Sequence, residues 1–188
     1  MRFCAAAAAG AVSAATEVAS AVVSAVVSAV ARAVARRLPL TSVDADQVIE
    51  QRLGCSIRSY FDEHGEGAFR DVEEAVIDEV TTASPALVLA TGGGAVLRPI
   101  NRQRLRERGT VIYLRASPEQ LAKRLRHDTK RPLLQVADPL KRLRDLYDER
   151  DPLYRECAHF VIDTRGAGLS ALVHRILMQL ELAGPVAD

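Results

Sequence analysis

Three short apolar runs, residues 86–90, 110–114 and 159–163, are separated by stretches with helical patterning, and this alternation limits the fold more than any other feature. Each run is too short for a stable helix and has little polar alternation, so each reads as a strand buried on both faces. Strands that alternate with helices require right-handed crossovers, which give a parallel sheet covered on both sides. The pattern predicts helices over 71–80, 101–108, 117–126, 140–151 and 169–182. A further short strand is expected at 40–43, ahead of a helix over 47–53. Ligands in such a fold bind beyond the carboxyl ends of the strands, and the polar motifs of this chain fall there.

The first 37 residues have a different texture, mostly Ala, Val and Ser, with one acid at Glu17. From Glu17 to Arg36 they nearly repeat every four residues, which on a helix aligns Ser20, Ser24 and Ser28 along one drifting stripe. Alanine favours helix and valine favours strand, so propensity leaves the state open. Four readings stand: an element packed in the core, a targeting peptide, a membrane helix, or a disordered or artefactual stretch. Glu17 interrupts the uncharged run and weakens the membrane reading, since a bilayer demands about 20 apolar residues.

A chain of 188 residues suits one α/β domain, and a net charge of +1 gives nucleic acid no electrostatic footing. The lack of Trp removes one common base-stacking platform as well. Cys4, Cys55 and Cys157 show no metal spacing and are odd in number, which suits a reducing compartment. No membrane association is expected, the monomer is the default, and the expected location is cytoplasmic, or an organelle if residues 1–37 are a transit peptide.

Four motifs can carry chemistry. Asp44-Ala45-Asp46 places two carboxylates after the first downstream strand, where one can hold magnesium and the other accept a proton; a loop with a helix N-cap accounts for the same residues. Gly92, Gly93 and Gly94 follow the 86–90 strand and let backbone approach a small polar ligand, beyond what a plain turn needs. Arg70 opens a helical stretch, and Lys130-Arg131-Pro132-Leu133-Leu134 lies between two helices in the position of a lid. Arg150 precedes Pro152-Leu153-Tyr154. Arginine suits a two-pronged grip on carboxylate or phosphate, although each of these alone reads as a solvated surface residue.

Taken together, the strings DAD, IEQRLGCSIRSYFDEHGEGAFRDVEE, VLATGGGAVLRPINR, KRPLLQ, ERDPLY and VIDT resemble the shikimate kinase family over about residues 32–183. The resemblance implies a P-loop kinase-like three-layer sandwich, with a central parallel sheet of about five strands. It divides the chain into 1–31, a low-complexity segment replacing the first strand and phosphate loop, and 32–188, the shikimate-kinase-like domain. It implies ATP and Mg2+ as cofactors and shikimate as substrate, phosphorylated on its 3-hydroxyl for aromatic amino-acid biosynthesis. By the same resemblance, Asp46 is the base and binds the shikimate hydroxyls, while Arg70, Arg150, Gly92, Gly93 and Gly94 complete the substrate pocket. Arg131 is implied as the lid arginine that meets the transferred phosphoryl group, Arg124 as the partner of adenine, and Asp44 and Ser28 as magnesium neighbours.

The sequence departs from that family in one place. Counting back without gaps from Ala35-Arg36-Arg37-Leu38, the loop GxxxxGK[ST] should occupy 21–28, where the chain reads AVVSAVVS. Ala21 and Val26 replace the glycines, Val27 replaces the lysine, and Ser28 alone keeps a hydroxyl. Impaired phosphotransfer is therefore expected. A catalytically inactive shikimate-binding relative, or a kinase with a damaged or engineered N-terminus, are the other readings. The first strand of the fold, central in the sheet, also needs an occupant from this segment.

Overall fold

The computed structural model describes residues 3–7, 14–83, 86–126 and 138–183, with side chains from Ser24 onward except at 124–126. Five strands form one sheet: β1 (Phe3–Ala7), β2 (Thr41–Asp44), β3 (Leu87–Thr91), β4 (Thr110–Arg115) and β5 (Phe160–Asp163). Their spatial order is β2-β3-β1-β4-β5, and each neighbouring pair is parallel. The central place belongs to β1, which pairs through Phe3 with Val88 on one side and Thr110 on the other.

Side chains alternate across β3 and β4 and so fix the layers. Val88, Ala90, Ile112 and Leu114 turn to one face, where they pack on Val27, Val30, Ala31 and Val34 of α1 (Ala14–Arg37). Leu121 of α5 (Pro118–Arg126) and Leu172, Val173 and Ile176 of α7 (Leu169–Ala183) complete that side. Leu87, Leu89, Val111 and Tyr113 turn to the other face. They meet Ala45 of α2 (Ala45–Leu53), Ile77 of α3 (Ile57–Ala83), Leu105 of α4 (Pro99–Arg108) and Tyr154 of α6 (Pro139–Cys157). A smaller cluster of Ile49, Phe69 and Val76 joins α2 to α3.

Two helices run further than the sequence pattern predicts. The region before 71 is already helical from Ile57, broken only at Gly65, whose φ of 79° lies in the left-handed region that an L side chain resists. That break hides the periodicity of the first half. Helix α6 continues through Pro152 to Cys157 instead of ending near 151. Its end is held by Arg106, whose Nη1 donates to the carbonyls of Glu156, Cys157 and Ala158, satisfying acceptors that a helix C-terminus leaves open.

The 21–28 window lies inside α1, an unbroken helix of 24 residues. Val27 is 1% exposed and belongs to the same apolar cluster as the sheet. From Val27 to Ala35 the repeat of small and β-branched residues thus supplies a buried helix face. No helix among the described residues is long and apolar enough to cross a membrane.

Stability should follow these layers. Ile77→Ala empties a site that is 0% exposed and should cost about 2–5 kcal/mol, whereas Leu182→Ala, at 78% exposure, should stay within about 0.5 kcal/mol. Urea unfolding of the two variants measures both, and equal losses would contradict the assigned core.

Candidate active site

The carboxyl ends of β2 and β3 bring the Asp44–Asp46 pair beside the glycine turn. Asp44 leaves the strand with extended backbone, φ −109° and ψ 115°, and caps α2 by accepting the Asp46 N–H at 3.1 Å. The N-cap role and a carboxylate at the strand end are therefore one arrangement. The other oxygen of Asp44 accepts from the Ser28 hydroxyl. That hydroxyl also lies 2.8 Å from the Ser24 carbonyl, so its single proton is shared between two acceptors. One turn earlier on α1, the Ser24 hydroxyl donates to Asp46 Oδ2 at 2.9 Å. Ser24 and Ser28 of the stripe thus face the two aspartates.

Asp46 is enclosed. A Cβ added to Gly92 would stand 2.8 Å from its Oδ1, so a larger residue there would push the carboxylate aside. Burial pushes the Asp46 carboxyl above its ordinary value, with the negative charges of Asp44 and Glu50 adding to the effect; the Ser24 hydrogen bond and the Arg70 charge oppose it. A raised carboxyl is a stronger base once ionised, which is what accepting a hydroxyl proton requires.

Arg70 projects from α3 against Gly94, where any Cβ would collide with the guanidinium. A side chain here would displace the guanidinium from this position. The same guanidinium stacks near Phe69, 5.1 Å from the ring centroid, and bonds Glu73 Oε2 at 2.6 Å and Glu66 Oε1 at 3.2 Å. Burial pushes the Glu73 carboxyl up, opposed by its ion pair with Arg70. Glu73 is a functional candidate that the sequence reading missed; its signal is the three-residue step from Arg70 on one helix face.

Arg150 comes from α6 and is 3% exposed. Among the described residues its Nε and Nη1 have no hydrogen-bond partner; Glu149 Oε1 lies 3.8 Å from Nε, an ion-pair contact too long for a hydrogen bond. Burial lowers its proton affinity, and the positive charge of Arg70 adds to the lowering, so the two guanidinium groups lie in one electrostatic neighbourhood. Buried N–H groups without partners are costly, and an anion arriving between the two arginines would satisfy them.

The structure brings together Asp44, Asp46, Arg70, Gly92, Gly94, Arg150 and Ser28, with Gly93 in the same turn. Arg131 lies outside the described residues, and so does the side chain of Arg124, which belongs to α5. The residues present fit the two expected cofactors unequally. The oxygens of Asp44 and Ser28 are hard donors of the kind magnesium takes. Nucleotide phosphates do not fit at 21–28, because the backbone N–H groups there are committed within α1 and the first lysine of the chain is Lys123.

Enclosing a carboxylate has a cost that pH reveals. Asp46→Asn keeps an acceptor for Ser24 and removes the charge. Because the folded pKa is raised, ionising Asp46 disfavours the folded chain progressively as pH rises above the ordinary value of 3.8, until the folded group too has ionised. The variant and the parent should unfold at similar temperatures near about pH 3 and separate above that, the variant melting higher at pH 7. A parent that melts higher than Asp46→Asn at pH 7 would contradict this.

Comparison with known proteins identifies the family. The family profile for shikimate kinase matches residues 26–181. The shikimate kinase of Paracidovorax citrulli is 65% identical over 150 residues, covering 79% of this chain and 82% of that one. The shikimate kinase of Ralstonia nicotianae is 56% identical over 150 residues, 80% of this chain and 78% of that one. Among solved structures, shikimate kinase from Acinetobacter baumannii in complex with shikimate superposes with a TM-score of 0.80 at 36% identity, covering 99% of this chain and 95% of that one. The chain belongs to the shikimate kinase family.

Proposed function

We propose that this chain binds shikimate at the carboxyl ends of β2 and β3 and is an ATP:shikimate 3-phosphotransferase of much reduced activity. The observation that carries the reading is the contrast across one pocket: Asp46, Arg70 and Arg150 converge beside the glycine turn, while the 21–28 window is helix. In this reading Arg70 and Arg150 hold the substrate carboxylate, since Arg150 carries unpartnered buried N–H groups suited to it. Asp46 takes the proton of the attacking hydroxyl, and Gly92–Gly94 admit the ring. ATP would supply the phosphoryl group, and Asp44 and Ser28 are the residues to which magnesium would bind. Arg131 and Arg124 keep their proposed parts at the lid and at adenine. Residues 1–31 are proposed to stand in place of the family's first strand and phosphate loop, with 32–188 as the shikimate-kinase-like unit; the fold is proposed as the P-loop kinase-like sandwich. The protein is proposed to act as a cytoplasmic monomer.

The missing charge matters because phosphoryl transfer depends on electrostatic positioning. Losing a single donor of this kind typically costs about a hundredfold to a thousandfold in rate. Coupled ADP release with shikimate should therefore be near background for the parent, while calorimetry detects shikimate. Turnover of about 1–100 per second, ordinary for kinases, would sink this reading.

Repair is predicted to need the whole loop. Val27→Lys alone would push an ammonium into the apolar cluster under the sheet. It should destabilise the chain by several kcal/mol and leave turnover unimproved, since a buried charge without a partner is strongly unfavourable. Replacing residues 8–28 with one GxxxxGKS sequence would connect β1 directly to the remaining α1 and return the N–H cradle, lysine and hydroxyl together. Shikimate-dependent ADP release should then rise at least about 100-fold. A repaired chain that folds and binds ATP but leaves shikimate unphosphorylated would refute the roles given to Asp46, Arg70 and Arg150.

A further inference from the structure

Three carbonyls leave the glycine turn, and each is committed. Those of Gly92 and Gly94 accept backbone N–H groups from Ala95 at 3.2 Å and Leu97 at 3.0 Å, closing a short 3-10 turn. The carbonyl of Gly93 accepts instead from a side chain, the hydroxyl of Tyr154. This bond joins α6 to a turn 61 residues away in sequence. We propose that Tyr154 is a positioning residue for substrate: it pins the Gly93–Gly94 peptide, and so holds the turn against Asp46 on one side and Arg70 on the other. The proposal rests on the reading of this pocket as the shikimate site.

The neighbours of Tyr154 give the bond its leverage. The tyrosine is 1% exposed, and its ring stacks on Tyr113 with centroids 4.8 Å apart and planes 16° apart. Tyr113 is tethered in turn, its hydroxyl donating to Asp151 Oδ1 at 3.0 Å. Burial and the ring stack, which do not depend on the Tyr113 hydroxyl, hold the phenol before it reaches Gly93, and loop geometry is set from a packed core. Glycine has no side chain to anchor it, and three in sequence make a turn with many accessible conformations. Without an external tie, the close approaches of Gly92 to Asp46 and Gly94 to Arg70 would be only one arrangement among several. Tyr154 also lies four residues after Arg150 on α6, so one helix face carries both an arginine of the pocket and the tie for the opposite wall. A shift of α6 would move both together.

The test is Tyr154→Phe, which keeps the stack and the buried volume and removes one hydroxyl, with Tyr113→Phe as the companion. Tyr113→Phe removes a hydroxyl from the same stack without touching the turn. Shikimate affinity by calorimetry should fall about fivefold in Tyr154→Phe, in line with the loss of one neutral hydrogen bond, and change less than about twofold in Tyr113→Phe. In unliganded isotope-labelled protein, the carbonyl carbon resonance of Gly93 should move in Tyr154→Phe and stay in place in Tyr113→Phe. A general loosening of the core would lower both melting temperatures without that selective signature. If the parent binds shikimate and Tyr154→Phe binds it equally well, or if both variants lose affinity alike, the positioning role is wrong. An unmoved Gly93 resonance in Tyr154→Phe overturns it as well. A parent that fails to bind shikimate instead overturns the substrate reading on which the proposal stands.

Discussion

A parallel sheet is only as continuous as its hydrogen-bond ladder, and here the ladder passes through five residues, Phe3–Ala7. β3 and β4 both pair with β1 and do not pair with each other. Without β1 their backbones would stand about two strand spacings of ~4.8 Å apart, too far to bond. The strand is largely alanine, so side-chain burial contributes less to its place than the backbone bonds on both edges. The site inherits its geometry from this ladder. Asp44 pairs with Ala90 in the register of β2 on β3, which sets the carboxylate pair beside the glycine turn that follows β3.

The sequence made some of this legible and hid the rest for definable reasons. The strands at 87–91, 110–115 and 160–163 lie within a residue or so of the apolar runs that announced them, because strands buried on both faces leave a continuous apolar signal. β1 left no such signal: an alanine run has weak strand propensity, and its state is imposed by neighbours some 85 and 107 residues away in sequence. The first half of α3 was masked by glycine, and the end of α6 by proline. In the pocket, Asp46, Arg70, the glycines and Arg150 were legible as motifs. The contacts of Ser24, Glu73 and Tyr154 were not legible, because each is made with a partner distant in sequence or through a helical step, which only the fold converts into contact.

Buried charge gives the pocket its character. Arg70 and Glu73 neutralise one another at 2.6 Å and hold the guanidinium in a fixed plane against glycine. Breaking a buried pair of this kind by removing one partner typically costs about 3–5 kcal/mol. Arg70 is thus fastened by Glu73 and Glu66 and retained by the helix that carries all three. Helix α1 enters the same space from the other side. Its first residue, Ala14, stands ten residues before Ser24, about 15 Å further along the axis, so the helix overruns the level at which its serines meet the aspartates.

Arg150 stands apart in having two buried guanidinium nitrogens with no hydrogen-bond partner among the described residues. An unpaired group of this kind is a deficit in the folding equilibrium, and whatever small anion removes it becomes, thermodynamically, part of the fold. Mass action then ties the folded population to the concentration of that anion, by a factor that grows as the ligand exceeds its dissociation constant. For a chain whose central strand is held mainly by backbone bonds, this linkage has a physiological reading. The amount of protein that escapes proteolysis would rise and fall with such an anion, so its abundance would report on that anion's supply.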